Sequence, residues 1–190
     1  MLDKTVPYAN VFMRRKKNTP IPQYPLPNGF KFTFYQPGDE VSWAKIETSV
    51  LEFENEQEAL EYFHGEFTPH AHELDKRCLF IENEKGEKIA TSTAWWTYTG
   101  TRRDPLLHWV AVMPAYQGLS LGKAISAKAT QLLADVEGDK DFYLKTQTWS
   151  HRAIRLYEKI GYEVTDERYV GKYVNEDYEK ALAVLSHIAN

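Results

Sequence analysis

Cysteine, long apolar runs and excess basic charge are scarce or missing in this sequence. Its 190 residues include one cysteine, Cys78, which excludes an internal disulfide. No apolar run reaches the roughly 20 residues of a transmembrane helix, and the net charge is −4. Because nucleic-acid binding depends on an excess of Lys and Arg, we expect no nucleic-acid partner. We also expect no membrane partner and a cytoplasmic location.

The most informative stretch is an apolar segment followed by a turn with small residues and then a helix. Residues 106–112, LLHWVAV, are rich in β-branched and aromatic side chains, which predicts a strand buried on both faces. Pro114 ends this strand, because proline has no N–H to donate. Residues 121–136 then carry apolar side chains at helical spacing. Small residues in such a turn let successive amides converge on an anion, so we expect a phosphate-bearing ligand.

The turn contains neither of two well-known phosphate-binding sequences. A P-loop has four residues between its glycines and a Ser or Thr after the lysine. Here three residues separate Gly118 from Gly122, and Ala124 follows Lys123. The dinucleotide-binding sequence Gly-x-Gly-x-x-Gly is absent too. The predicted anion site therefore belongs to another class.

The turn resembles motif A of the GNAT N-acetyltransferase superfamily, Arg/Gln-x-x-Gly-x-Gly/Ala, which joins the central strand to a helix and binds the coenzyme A pyrophosphate. Gln117, Leu121 and Gly122 fall in register with this motif. Ser120 stands where the family usually has glycine. We expect the Ser120 amide to donate to the ligand, provided that its φ is negative.

A second segment, SHRAIRLYEKIGY at 150–162, resembles motif B of the same superfamily, Asn-x-x-Ala-x-x-Leu-Tyr-x-x-x-Gly-Phe. Ser150 replaces the Asn, and Tyr162 replaces the Phe. The segment is predicted to be a helix that Ser150 caps and Gly161 stops. With two motifs in family order, the chain is identified as a GNAT member over about residues 106–162.

This resemblance implies an α+β protein with the GNAT fold, in which helices flank both faces of a mixed central sheet of six to seven strands. The predicted elements before and between the motifs are a strand at 30–35, a helix begun by Asp39, a helix capped by Asn55 and Glu58, a hairpin around 84–87 and a strand at 141–149.

Residues 1–29 are expected to form an extended proline-rich arm, in which 8–13 can pair as an edge strand. We expect 14–17 to be solvated, Asn175 to cap a last helix, and 30–190 to form a single GNAT acetyltransferase domain.

The resemblance also implies an activity. We expect transfer of an acetyl group from acetyl-CoA, as co-substrate, to a primary amine of a small molecule or peptide. The amine would attack directly in a ternary complex, with no metal, and the protein would be a monomer or homodimer. The alternative is a catalytically degenerate module that binds an acyl-CoA as a sensor.

The resemblance further assigns roles to single residues. Val112 would direct its amide to the thioester carbonyl, Tyr157 would protonate the leaving thiolate, and His108 would take the acceptor's proton with a pKa near 6.5. Side-chain alternation would place His108 on the face of Val110 and Val112. The other residues expected to bind the coenzyme are Val110, Gln117, Gly118, Leu119, Ser120, Leu121, Gly122, Lys123, Ser150 and Tyr157.

Each of these roles has a structural alternative. Tyr157 fits a core aromatic on an amphipathic helix, His108 fits a hydrogen-bonded core histidine, and Ser150 fits a helix cap without ligand contact. The acceptor itself is not specified by the sequence. Four acidic residues either attract a cationic amine or form an exposed helix face, and they are Glu54, Glu56, Glu58 and Glu61.

Overall fold

The structure is a computed structural model that describes residues 2–189. The strands are β1 (Asn10–Arg15), β2 (Phe30–Phe34), β3 (Cys78–Asn83), β4 (Lys88–Thr99), β5 (Arg102–Val112), β6 (Phe142–Gln147), β7 (Glu163–Val164), β8 (Tyr169–Val170) and β9 (Tyr173–Val174). The helices are α1 (Glu40–Ser49), α2 (Glu56–Glu66), α3 (Ala71–Arg77), α4 (Leu121–Glu137), α5 (His151–Glu158) and α6 (Tyr178–Ala189). Short 3₁₀ turns lie at Thr68–His70, Pro114–Tyr116 and Thr148–Ser150.

Seven of the strands form one mixed sheet in the order β2-β3-β4-β5-β6-β1-β7. The pairing of β5 with β6 is parallel, whereas β2 with β3, β3 with β4, and β1 with both β6 and β7 are antiparallel. β8 and β9 form a separate antiparallel hairpin. The predicted α+β class with a mixed sheet is therefore confirmed.

The chain divides into two compact units. The first comprises the chain up to Pro22, Trp95–His108 and the chain from Leu133 onward, and the second comprises Gln23–Ala94 and Trp109–Leu132. The predicted arm at 1–29 and single domain at 30–190 stay predictions. No helix among residues 2–189 is long and apolar enough to cross a membrane.

In the first unit, β1 differs from the sequence-based expectation. It pairs with β6 along its whole length and with β7 on its other side, so it is not an edge strand. Arg15 is only 1% exposed, and its guanidinium lies 5.3 Å from the centroid of the Phe142 ring. The expectation that residues 14–17 are all solvated is therefore wrong at Arg15, because strand alternation turns it to the side of the buried Val11 and Met13.

The predicted helix caps had mixed outcomes. The Asn55 side chain accepts a hydrogen bond from the Glu58 amide at 2.9 Å, so the cap of α2 is confirmed. The Asp39 carboxylate instead accepts from the Gln36 amide, and it makes no side-chain cap bond to α1. Asn175 is not the cap of α6, because the helix begins only at Tyr178, and the Asn175 side-chain amide donates instead to the Thr165 carbonyl at 2.8 Å.

The core of the second unit brings the middle of the sheet against the start of α4. Its buried members are Leu79, Ile81, Ile89, Ala90, Leu121 and Ile125. Val110 and Val112, at the end of β5, pack against this cluster and stay partly buried. Because the first apolar residues of α4 belong to this core, the helix begins directly after the turn that follows β5.

Candidate active site

The central strand β5 begins at Arg102, four residues before the apolar run used to predict it. Within that run, Leu106, Leu107 and Ala111 are buried. His108, Trp109 and Val110 are only partly buried, so the prediction of a strand buried on both faces holds for part of the run.

Trp109 has a φ of +48°, in the left-handed region that a bulky residue rarely occupies. Side-chain alternation requires extended backbone at every residue, and Trp109 interrupts it. The expectation that His108 shares a face with Val110 and Val112 therefore does not hold. Val110 and Val112 still share a face with each other, because both pack against the same buried cluster.

Two hydrogen bonds hold the turn after β5 against the sheet. The Met113 amide donates to the Ile89 carbonyl at 2.9 Å, and the Gln117 side-chain amide donates to the Val112 carbonyl at 2.9 Å. Gly118 follows with a φ of +86°, which glycine adopts without strain. The Gln117 side chain, at the first position of motif A, thus stabilises the turn.

Six consecutive amides at this turn are available to a ligand. Within residues 2–189, none of the amides from Gly118 to Lys123 donates to a protein acceptor, and the first helical bond of α4 runs from the Ala124 amide to the Ser120 carbonyl at 3.1 Å. The first amides of a helix have no partner within it, and its dipole favours an anion there. Amides without a protein acceptor therefore lie where the sequence predicts an anion-binding turn, and the binding of an anion there stays a prediction.

Ser120 has a φ of +62°, so the condition of a negative φ is not met, and donation by its amide to a ligand stays a prediction. The left-handed conformation is the one that a glycine would adopt freely, and serine holds it at some cost in strain. The neighbouring side chains differ in exposure: Leu119 is exposed, whereas Leu121 is buried in the core. The Lys123 ammonium lies 4.8 Å from the centroid of the Tyr24 ring.

The first unit holds the motif B helix α5. Tyr157 is 7% exposed, and its ring meets the edge of the Tyr162 ring with 6.4 Å between centroids. Gly161 has a φ of +92° beyond the helix end, which confirms it as the stop. Ser150 lies at the N-cap position without a side-chain cap bond, and its hydroxyl accepts a long 3.4 Å bond from Gln147. The prediction that the Ser150 side chain caps the helix is wrong.

His108, also in the first unit, has an unusual electrostatic setting. Burial, together with the positive charges of Lys172 and Lys145, lowers the pKa of His108 to about 3. The pKa of His108 thus lies below the expected value near 6.5, and the imidazole is neutral near pH 7. The ammonium groups of Lys145 and Lys172 lie 4.3 and 5.6 Å from the centroid of the Tyr173 ring.

The predicted site residues are divided between the two units. The second unit holds the part expected to bind the donor: Val110, Val112, Gln117, Gly118, Leu119, Ser120, Leu121, Gly122 and Lys123. The first unit holds His108, Ser150 and Tyr157.

Sequence reasoning missed a titratable residue in the second unit, Glu47 of α1. It is 1% exposed, and burial, followed by the charge of Glu52, raises its pKa well above the ordinary value. The signal was available, because Glu47 follows the inward-facing Trp43 by four residues and so lies on the same face of the helix. The acidic residues noted from the sequence, Glu54 to Glu61, are exposed instead.

Comparisons with known proteins agree with this geometry. A family model described as "Acetyltransferase (GNAT) family" matches residues 41–162, which is more than half of the chain. The protein therefore belongs to the GNAT acetyltransferase family.

Among curated proteins, the mycothiol acetyltransferase of Salinispora tropica is 27% identical over 165 residues, covering 79% of this chain and 50% of that protein. The chain thus spans about half the length of this relative.

Solved structures show the same fold at low sequence identity. A GCN5-related N-acetyltransferase from Sphaerobacter thermophilus matches with a TM-score of 0.65 and 18% identity, covering 84% of this chain and 49% of that one. Glucosamine-6-phosphate N-acetyltransferase from Arabidopsis thaliana matches with a TM-score of 0.53 and 18% identity, covering 76% and 97%. The predicted GNAT fold is confirmed.

Proposed function

We propose that this protein is an acetyl-CoA-dependent N-acetyltransferase that acts on a primary amine of a small molecule or peptide. The observation that carries the proposal is the row of amides from Gly118 to Lys123 at the start of the 17-residue helix α4. Such a row matches the chemistry of a diphosphate, which offers several anionic oxygens close together. Membership of the GNAT family supports acetyl-CoA as the donor.

In this proposal, the second unit binds the donor. The amides of Gly118 to Lys123 hold the diphosphate, and the end of β5, from Val110 to Val112, lies along the pantetheine arm. The Val112 amide donates to the thioester carbonyl, which gains negative charge as the amine attacks. Gln117 acts indirectly, because its side chain is already bonded to the Val112 carbonyl and holds the turn in place.

The residues of the first unit serve the proton transfers. Tyr157 is the general acid that gives its hydroxyl proton to the departing thiolate. His108 stays neutral and accepts a hydrogen bond on the acceptor side. Its lowered pKa makes it a weak base, so the acceptor's proton passes through a water that His108 positions and leaves to bulk solvent. Ser150 contacts the pantetheine arm, as its place in motif B implies, and its hydroxyl makes no helix-cap bond.

A free-thiol assay tests this function most simply. The protein is incubated with acetyl-CoA and a panel of primary amines, and release of coenzyme A is followed. We expect amine-dependent thiol release with at least one member of the panel. If acetyl-CoA raises the melting temperature but no amine releases thiol, the degenerate sensor module is the better account. If acetyl-CoA neither binds nor reacts, both accounts are wrong.

A further inference from the structure

One face of the sheet in the first unit carries a small buried cluster with polar side chains beside it. The cluster consists of Phe12, Leu106, Tyr143 and Val170, and Tyr173 of β9 packs against it. Lys145 lies directly opposite Phe12 in the antiparallel pairing of β1 with β6. Because opposite residues of paired strands point to the same face of a sheet, Lys145 lies on the face that carries the cluster.

His108 lies on the same face as Lys145. It follows Leu106 by two residues on β5, and Leu106 is paired with Tyr143 of β6 in parallel register. Side chains two residues apart in a strand point the same way, and the interruption of β5 comes only at Trp109. The positive charge of Lys145 acts on His108, in agreement with this placement.

The hairpin of β8 and β9 adds a second lysine at this place. Lys172 lies between the two strands of the hairpin, and Tyr173 follows it. The ammonium groups of Lys145 and Lys172 lie 4.3 and 5.6 Å from the centroid of the Tyr173 ring, so both lie beside one aromatic side chain. We define the basic site as Lys145, Lys172 and Tyr173, which all belong to the first unit.

The basic site has no acidic partner within residues 2–189. Neither ammonium group forms an ion pair there, and the Tyr173 hydroxyl makes no hydrogen bond. Partial burial, followed by the positive charge of Lys172, lowers the pKa of Lys145. Arg102 and Arg103 of the same unit differ, because each lies within 2.7 Å of a glutamate carboxylate. The basic site is therefore a place where like charges meet without compensation.

A bound anion would relieve this repulsion. Like charges held close together raise the free energy of the protein, and an anion between them lowers it. Both lysine side chains are exposed, so a ligand can reach them. Two ammonium groups and a phenolic hydroxyl are donors that suit a carboxylate or a phosphate, and hydrogen bonds between charged groups are the strong ones. The basic site thus matches the chemistry of an anionic group.

We propose that the basic site binds an anionic group of the acceptor, so that the acceptor is a primary amine that also carries a carboxylate or a phosphate. This inference rests on the proposed function, because it names the substrate class of the same reaction. Lys145 and Lys172 supply the counter-charge, and the Tyr173 hydroxyl donates to one anionic oxygen. Since His108 acts at the amine and lies close to Lys145, a short spacer joins the amine to the anionic group.

Calorimetric titration of the whole chain with two matched pairs of amines tests the inference without turnover. One pair is β-alanine and β-alaninamide, in which an amide replaces the carboxylate, and the other is 2-aminoethyl phosphate and 2-aminoethanol. Saturating coenzyme A is present, because it fills the donor turn and has no acetyl group to transfer. We expect at least one anionic amine to bind roughly tenfold more tightly than its partner. The pair that shows this preference identifies the anion as a carboxylate or a phosphate, and equal affinity within both pairs would overturn the inference.

The double variant Lys145→Gln, Lys172→Gln locates the effect. Both side chains are exposed, so the fold should survive, and the anionic amines should lose their advantage. Tyr173→Phe deletes only the hydroxyl and should weaken binding of the anionic amines roughly threefold. The matched control is Lys17→Gln, Lys180→Gln, which removes two charges at exposed positions of the same unit and should keep the advantage. A preserved advantage in the first double variant would overturn the assignment.

The two proposals fail differently. The melting shift with acetyl-CoA should be the same in Lys145→Gln, Lys172→Gln and in the wild type, because the donor turn is untouched. If the double variant loses that shift, the lysines bind a phosphate of the donor, and the inference is wrong. An acetyl-CoA shift without any preference for the anionic amines overturns the inference alone. A preference for them without any response to acetyl-CoA overturns the acetyltransferase proposal and leaves only an anion site.

Discussion

The Tyr157 hydroxyl provides a single-atom test of the proposed proton transfer. Its ring packs in the first unit against Tyr162, so Tyr157→Phe keeps the packing and deletes only the donor. We expect the free energy of unfolding to change by less than about 1 kcal/mol. The single-turnover rate of acetyl transfer should fall by roughly two to four powers of ten. An unchanged rate would mean that Tyr157 is a core aromatic and not the general acid.

His108 gives a pH dependence whose sign follows from its pKa. The unfolded chain takes up a proton near pH 6.5, whereas the folded chain does so only near the lowered pKa of about 3. Stability is therefore fully present above pH 6.5 and is lost as the pH falls from there. Between pH 7.5 and 5, His108→Gln should lose about 2 kcal/mol less stability than the wild type in urea unfolding. Identical pH dependence of the two proteins would mean that folding does not lower the pKa of His108.

At the scale of single residues, the sequence predicts candidate site residues but not their electrostatics. Gln117 and Tyr157 are candidates because a motif fixes their spacing along the chain. The pKa of His108 was not predictable, because it depends on burial and on Lys145 and Lys172, which come from other parts of the sequence. Glu47 was overlooked because a glutamate on a helix is usually exposed.

At the scale of elements, the turn before α4 has a strained position at Ser120. A left-handed non-glycine residue costs roughly 1–2 kcal/mol. Ser120→Gly should raise the free energy of unfolding by up to about 1 kcal/mol, since glycine's greater freedom in the unfolded chain offsets part of the relief. Ser120→Val should lower it, because a β-branched residue fits this conformation poorly. Urea unfolding measures both changes. Equal stabilities of the wild type and the two variants would contradict the strain at Ser120.

The elements differed in how well local signals predicted them. The hairpin of β3 and β4 and the cap of α2 follow from turn residues and capping pairs a few positions apart, and both were predicted. The position of β1 was not, because it is set by pairing with β6 and β7, which lie far along the chain. The interruption of β5 at Trp109 was not predicted either, since alternation assumes regular backbone.

At the scale of the whole molecule, the family fold was predictable because two motifs and the order of elements point to the same answer. The chain has a GNAT sheet of seven strands and matches the family model over residues 41–162. The choice of acceptor was not predictable in the same way. Local motifs do not describe side chains that only the fold brings together, such as Trp43 of α1 and Trp109 of β5, whose ring centroids lie 5.5 Å apart.

The central claim is that the turn from Gly118 to Lys123 holds acetyl-CoA, and a thermal-shift titration tests it most directly. Its control is Lys128→Val, which places the same side chain at an exposed position of α4. At a hundredfold excess over Kd, the ligand should stabilise the native protein by about 2.7 kcal/mol. Gly122→Val should fold and lose the shift, because a β-branched side chain crowds the amides, and Lys128→Val should keep it. No shift in the wild type with millimolar acetyl-CoA would contradict the account.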